Sequence, residues 1–356
     1  MTPAELHRYS RHLLLPEIGL AGQQQLKAGR VLVVGCGGLG CPVLQYLAAA
    51  GVGTLGLLDF DTVDETNLQR QILYGTADVG RPKAVAAAEK LRAQNPYIDV
   101  QPLQMRLSAT NALELFEAYD VVVDCSDNFA TRYLVNDACV LLGKPLVFGA
   151  IFKFEGQVSV FNYRQGPTYR CLFPTPPAPG EAPGCSEIGV MGVLPGIVGT
   201  LQASEAIKLL TGAGEVLSGR LLLFDALLMR FQTLRFKVNP AHQQLPGLID
   251  YPAFCGETPT SDAVPEMDAA ELKRRRQAPE PLLLLDVREP HEHAARHIGG
   301  RLIPLAKLPD ALETLDPTIP IVVHCASGRR SQQAARLLLD HGFRQVWFLR
   351  NGLQDF

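Results

Sequence analysis

The chain has 356 residues, enough for about two domains that each bury a core. Its 33 Lys and Arg against 36 Asp and Glu leave a net charge of −3, which gives no general case for nucleic-acid binding. Apolar residues make up 47%, with no run near the roughly 20 residues of a membrane span, so a soluble α/β protein is expected, with neither membrane nor nucleic acid as partner. Residues Met1 to Arg8 carry an early acid and lack a signal peptide's cationic start and apolar stretch, and no two of the eight cysteines form a CxxC pair. A cytoplasmic protein without a disulfide framework is expected.

Along the chain, the β-branched run Val31-Leu32-Val33-Val34 predicts a strand feeding the glycine loop Gly35-Cys36-Gly37-Gly38-Leu39-Gly40 and a helix near 39–50. A strand over 54–59 ends at Asp59-Phe60-Asp61; helix 82–93, strand 120–124, helix 131–142 and strand 145–149 continue the alternation. Such βα rhythm implies a parallel sheet covered on both faces. Gln157 to Phe161 reads as the start of an antiparallel strand, and Arg164 to Gly189, with six prolines, as a mobile functional loop. Helix 197–211 and strands 220–224 and 230–238 close a first domain over 1–250. Residues 251–266 read as a linker. A smaller α/β domain over 267–356 follows, with helix 268–276, strands 282–286 and 321–324, helix 331–341 and strand 345–349. The basic run Lys273 to Arg276 suits a solvated helix face.

The glycines at 35, 37, 38 and 40 let backbone N–H groups and a helix N-terminus meet phosphate oxygens, and Asp59 stands where a ribose hydroxyl is bound. Alone, this fingerprint suggests an NAD-dependent dehydrogenase. The block Thr66-Asn67-Leu68-Gln69-Arg70-Gln71 and then Lys83 place amides and two cations beside the loop, which suits a triphosphate better. Gly35, Gly37, Gly38, Gly40, Asp59, Asp61, Thr66, Asn67, Leu68, Gln69, Arg70 and Lys83 are the expected nucleotide contacts. Asp124-Cys125-Ser126-Asp127-Asn128 ends a strand, the position of ligand contacts in an open α/β sheet. Asp127 there is placed to hold Mg²⁺ on the phosphates, with capping of the next helix as the plain alternative.

In this order the segments GxGGLG, DFDxVxxxNLxRQ, GxxK and DCxDN resemble the MoeB/ThiF-type, ubiquitin-activating-like (E1-like) adenylyltransferases, over about residues 1–250. The resemblance implies a Rossmann-like domain with a mixed sheet, ATP with Mg²⁺, and attack on the α-phosphate by the C-terminal glycine carboxylate of a ubiquitin-like sulfur carrier protein of the MoaD, ThiS or Urm1 type. It assigns nucleotide binding to Gly38, Asp59, Asn67, Arg70, Lys83, Asp127 and Asn128. It also makes Arg11 a residue that reaches into the neighbouring subunit of a homodimer. The chemistry agrees: a carboxylate approaching a polyphosphate meets charge repulsion that Arg70, Lys83, Arg11 and Mg²⁺ offset, and the ionised nucleophile needs no base.

Two positions need separate reading. Family members carry a structural zinc on two CxxC pairs, which here read Thr168-Tyr169-Arg170-Cys171 and His242-Gln243-Gln244-Leu245. Thr168 and Leu245 replace ligand cysteines and His242 another, and Cys255 is off register, so no zinc is expected. Cys185, in the proline-rich loop, matches a cysteine that relatives use for a thioester or acyl disulfide with the carrier; an unused loop cysteine is the plain alternative.

Near the C-terminus, Cys325-Ala326-Ser327-Gly328-Arg329-Arg330-Ser331 links a strand to a helix, a turn that points N–H groups at the sulfur, with the helix dipole and Arg330 favouring a thiolate. It resembles a rhodanese loop, as do the segments at Asp286 to Pro290, His297 to Gly300 and Ile303 to Leu305. This implies a persulfide on Cys325, loaded by a sulfur donor such as a cysteine desulfurase or thiosulfate. His291, His293 and His297 read as solvated rather than as a metal cluster. The two halves resemble the two-domain adenylyltransferase/sulfurtransferases, whose thiocarboxylate product serves molybdopterin, thiamine or tRNA-thiolation pathways. A carrier-binding scaffold with a degenerate nucleotide site competes, against which intact Arg70, Lys83 and Asp127 count. An oxidoreductase lacks a substrate domain with a catalytic His or Tyr.

Overall fold

Strands that must be apolar on both faces form the centre of the first unit. The computed structural model describes residues 1–177, 189–256, 264–279 and 281–356, and divides into units Met1–Thr258 and Pro259–Phe356. In the first, β1 (Arg30–Val34), β2 (Thr54–Leu58), β3 (Asp99–Leu103), β4 (Val121–Asp124), β5 (Leu146–Phe152), β6 (Glu155–Phe161), β7 (Arg220–Asp225) and β8 (Arg230–Arg235) pair in the order β3-β2-β1-β4-β5-β6-β7-β8. The strands from β3 to β5 are parallel and the last three antiparallel, so the expected mixed sheet is what the chain adopts. Helices Gly40–Ala50, Lys83–Gln94 and Leu194–Thr211 pack one face; Ala112–Glu117 and Phe129–Leu142 pack the other. Buried leucines such as Leu44, Leu47 and Leu91 contribute about 1.5–3 kcal/mol each through lost water contact.

Register positions the site. Val34 pairs with both Leu58 and Asp124, so β1, β2 and β4 end level and deliver the glycine loop, Asp59 and Asp124 to one edge.

One strand lies outside the sequence expectations, and two of those expectations need correction. β3 carries Asp99 and Pro102 and does not read as a strand; at the sheet edge its missing amide is tolerated. The described part of the proline-rich loop is packed rather than mobile: Thr168, Tyr169 and Arg170 are buried, and Arg170 donates to both oxygens of Asp137 at 2.8 and 2.7 Å. The stretch from Tyr251, read as linker, opens with a helical turn whose buried Tyr251 hydroxyl donates to the same carboxylate at 2.8 Å.

The second unit is a parallel sheet of β9 (Glu266–Met267), β10 (Leu283–Asp286), β11 (Arg301–Leu302), β12 (Ile321–His324) and β13 (Val346–Leu349), in the order β11-β10-β12-β13-β9. Helix Arg329–Asp340 packs against it through Ala334, Ala335 and Leu338. Asp286 pairs with His324, so both stand level beneath Cys325. This is the smaller α/β domain expected.

Candidate active sites

The glycine loop is shaped by a packing constraint. Gly40 begins a helix against Gly35, and a Cβ there would stand 2.0 Å from the Gly35 carbonyl oxygen, so no other residue fits. Asp59 fastens this loop to the end of β2: its carboxylate accepts the N–H of Cys36 and that of Asp61, both at 2.8 Å. Burial raises its pKa, opposed first by Lys83 and then by those amides. Lys83 is itself buried, with Nζ 3.3 Å from Asp61 and its own N–H donating to the Asp61 carbonyl. Arg70 lies over the loop: its Cγ would be 3.7 Å from a Cβ on Gly38, and its Nη1 donates to the Thr66 carbonyl at 3.0 Å.

Gly35, Gly37, Gly38, Gly40, Asp59, Asp61, Arg70 and Lys83 therefore converge. Others of the expected contacts have partners within the protein. Thr66 donates through N–H and hydroxyl to Asp64, Asn67 accepts the Asp64 N–H, Leu68 turns into the apolar core, and Gln69 packs on Gly192. Asn128 caps helix Phe129–Leu142 by accepting the Thr131 N–H at 2.8 Å. Capping thus falls to Asn128 and leaves Asp127 exposed, with no hydrogen bond to other described residues. Arg11 is likewise exposed on helix Ser10–Leu13, without a partner among the described residues, beside exposed Leu14 and Leu15.

The structure adds residues the sequence reading passes over. Gln71 Oε1, Asp124 Oδ2 and Arg132 Nε are buried atoms with no hydrogen-bond partner among the described residues. Burial drives the Asp124 pKa up, and Arg132 opposes it most. An unsatisfied buried polar group costs about 1–3 kcal/mol, and these orphans lie beside the glycine loop and at the end of β4, where the fold itself leaves them unpaired among the described residues. The signal was in plain view, since Gln71 and Asp124 belong to the NLxRQ and DCxDN segments.

Around the family's zinc positions, Cys171 Sγ accepts N–H bonds from Thr168 at 3.4 Å and Asn239 at 3.3 Å, while the Thr168 hydroxyl donates to the His242 carbonyl at 3.3 Å. Protein hydrogen bonds join the two segments there. Among the described residues no three or more His, Cys, Asp and Glu are grouped to hold a metal. Cys185 lies outside the described residues.

In the second unit, Cys325 Sγ accepts the N–H of Gly328 at 3.2 Å and of Ser331 at 3.4 Å, with the Ser331 hydroxyl 3.5 Å away. The turn depends on Gly328 at φ 90°, where a Cβ would meet the Arg350 carbonyl at 2.1 Å. Ala326 and Ser327 are exposed at the loop's crest, and the sulfur beneath is buried. Arg330, expected to act on the thiolate, gives its fork to Glu292 through two 2.7 Å bonds and holds that carboxylate below its usual range. His291 and His297 are exposed as expected. His293 is more than solvated: its Nδ1 stands 2.8 Å from the buried Asp286 carboxylate and its ring stacks on His297. Burial pushes the Asp286 pKa up, but Arg288 and His293 outweigh it and hold it at about 2.

His324, missed from the sequence, is fully buried, and burial lowers its pKa from 6.5 to about 4 despite the pull of Asp286. Between those values the unfolded chain binds a proton that the folded ring refuses. Stability of this unit is thus fully present above pH 6.5 and falls by roughly 3 kcal/mol as pH drops to about 4, while Asp286 stays ionised. Thermal melting of the full chain across that window is expected to show the loss, and His324→Phe to flatten it; a wild-type melting point indifferent to pH there would sink the assignment.

Residues 9–246 match the ThiF family and residues 268–356 the rhodanese-like domain. The probable adenylyltransferase/sulfurtransferase MoeZ of Mycobacterium tuberculosis is 46% identical over 361 residues, covering 98% of this chain and 92% of that protein. A sulfur carrier protein adenylyltransferase of Thermus thermophilus is 54% identical over 266 residues, covering 72% of this chain and 98% of its own length. Among solved structures, Escherichia coli MccB superposes with a TM-score of 0.59 at 22% identity, over 66% of this chain and 73% of that one, a likeness of fold.

Proposed function

Because this chain belongs to the ThiF family, with a rhodanese-like domain behind it, we propose that it activates the C-terminal glycine of a ubiquitin-like sulfur carrier protein with ATP and then converts the adenylate to a thiocarboxylate. The ATP phosphates lie over the N–H groups of the glycine loop, and Asp59 meets the ribose. Arg70 and Lys83 offset charge as the carboxylate attacks the α-phosphorus and pyrophosphate leaves. Asp127 fits a magnesium ion that the nucleotide brings, since Mg²⁺ needs only one or two carboxylates beside phosphate and water, and this one is exposed and unengaged. The ion's chemistry is to neutralise the phosphates. The frame residues Thr66, Asn67, Leu68, Gln69 and Asn128 act by holding these groups in place. No structural zinc is needed where Cys171 accepts backbone hydrogen bonds, and one zinc per chain in purified protein would overturn that.

The terminal sulfur of a Cys325 persulfide then attacks the acyl carbon and displaces AMP. Cys185 attacks the Cys325 sulfur of the resulting acyl disulfide, releasing the thiocarboxylate and leaving a disulfide for an external thiol to reduce. A cysteine desulfurase or thiosulfate reloads Cys325, and the working form is a cytoplasmic homodimer in which Arg11 completes the neighbour's site.

The observation that supports this most is the sulfur of Cys325 set among two N–H groups and a hydroxyl, behind a domain of an adenylating family. Incubation with ATP, a sulfur donor and candidate carriers is expected to give pyrophosphate and a carrier whose terminal oxygen has become sulfur by mass. Carrier binding without pyrophosphate release would favour the scaffold instead.

A further inference from the structure

We propose that the first unit carries a second binding site, a cationic cleft for an acidic segment of a protein partner, at the end of the sheet opposite the glycine loop. The cleft has a volume of about 720 Å³ and is lined by Arg164, Lys208, Arg220, Arg235 and Lys237, with Glu215 as its one carboxylate among the described residues. Five cations against one acid stand out in a chain whose net charge is −3.

Placement separates it from the nucleotide site. Arg220 pairs with Arg235 across β7 and β8, at the end where β6 finishes, which is the amino end of the parallel strands. Helix Leu194–Thr211 runs from Pro195, against Gly38, to Gly212 in the cleft wall, roughly 27 Å at 1.5 Å per residue. ATP on the glycine loop leaves the cleft unfilled.

Its charges are only partly answered from within. Lys208 pairs with Glu205, and Arg220 stands 3.5 Å from the exposed Glu215; Arg164, Arg235 and Lys237 form no ion pair among the described residues. Arg164 and its neighbour Gln165 hold φ of 50° and 62°, a left-handed backbone that non-glycine residues rarely adopt.

The walls argue against a stacked nucleobase. Tyr163 lines the cleft, but the Arg164 guanidinium lies 5.0 Å from its ring centroid and covers the face a nucleobase would stack on. Five cations spread over a cleft of about 720 Å³, among three glycines and the apolar Val216 and Phe236, suit several carboxylates along a chain rather than one compact ion. Such complementarity steers encounter and fixes orientation.

The test uses the full chain and a fluorescein-labelled peptide of alternating Asp and Glu, followed by anisotropy. Arg164→Glu with Lys237→Glu changes two exposed side chains, so folding should survive and circular dichroism checks it. Binding is expected to weaken by about tenfold or more. Lys273→Glu with Arg276→Glu, on the exposed basic run of the second unit, should leave it unchanged. Four results overturn the proposal: no binding by the wild type, undiminished binding by the folded cleft variant, equal loss in the second-unit variant, or full displacement of the peptide by an equal concentration of inorganic phosphate, which would make the cleft a small-anion site.

Discussion

Lys83→Ala lowers carrier-dependent pyrophosphate release by about two to three orders of magnitude, the scale seen when one preorganised charge is removed from a developing transition state. The effect falls on kcat more than on KM for ATP, because Lys83 is buried and fixed by Asp61 at 3.3 Å before any substrate arrives. A second consequence follows from Asp59, whose rise in pKa through burial is opposed most by Lys83. Without the ammonium, Asp59 takes up a proton at higher pH, and residual activity fades on acidification sooner than in the wild type. Lys83→Ala activity within a few-fold of wild type would remove this residue from the mechanism. Mixing Lys83→Ala with Arg11→Ala also tests the dimer: half the dimers are hybrids with one complete site, so about a quarter of wild-type activity returns. A strictly monomeric site recovers nothing.

What the sequence discloses depends on how burial is distributed. β1, β2 and β4 are buried on both faces and read as unbroken apolar runs, so the parallel core was legible, and with it the edge where Gly35, Asp59 and Asp124 meet. β3 was not, because an edge strand tolerates Asp99 and Pro102. Helix Gly19–Ala28 escaped as well, since GLAGQQQLKA has three buried positions and little apolar stripe. Within the site, residue type revealed cations and carboxylates but not their partners. Leu68 and Arg70 lie two apart in one block, yet one turns into the core and the other over the glycine loop. Arg330 reads from sequence as a counter-ion for Cys325, and the structure adds Glu292, from a separate helix, on the same fork. Such pairings are long-range facts that local patterns do not carry.

Cys325→Ser separates the two chemistries. Serine keeps an acceptor for the Gly328 and Ser331 N–H groups, whereas alanine would orphan both at about 1–3 kcal/mol each. It cannot hold a persulfide, so thiocarboxylate formation falls below detection, while the first turnover releases pyrophosphate at the wild-type rate and acyl-adenylate accumulates. Loss of both activities in a folded variant would refute a division of labour between the units. The companion variant Cys185→Ala leaves Cys325 loaded but removes the resolving thiol, so the carrier remains joined to Cys325 through an acyl disulfide. Intact mass of the variant after turnover should show that adduct, and an added small thiol should release the thiocarboxylate from it. Full turnover by Cys185→Ala without any adduct would mean that an external thiol resolves the intermediate, leaving Cys185 outside the reaction.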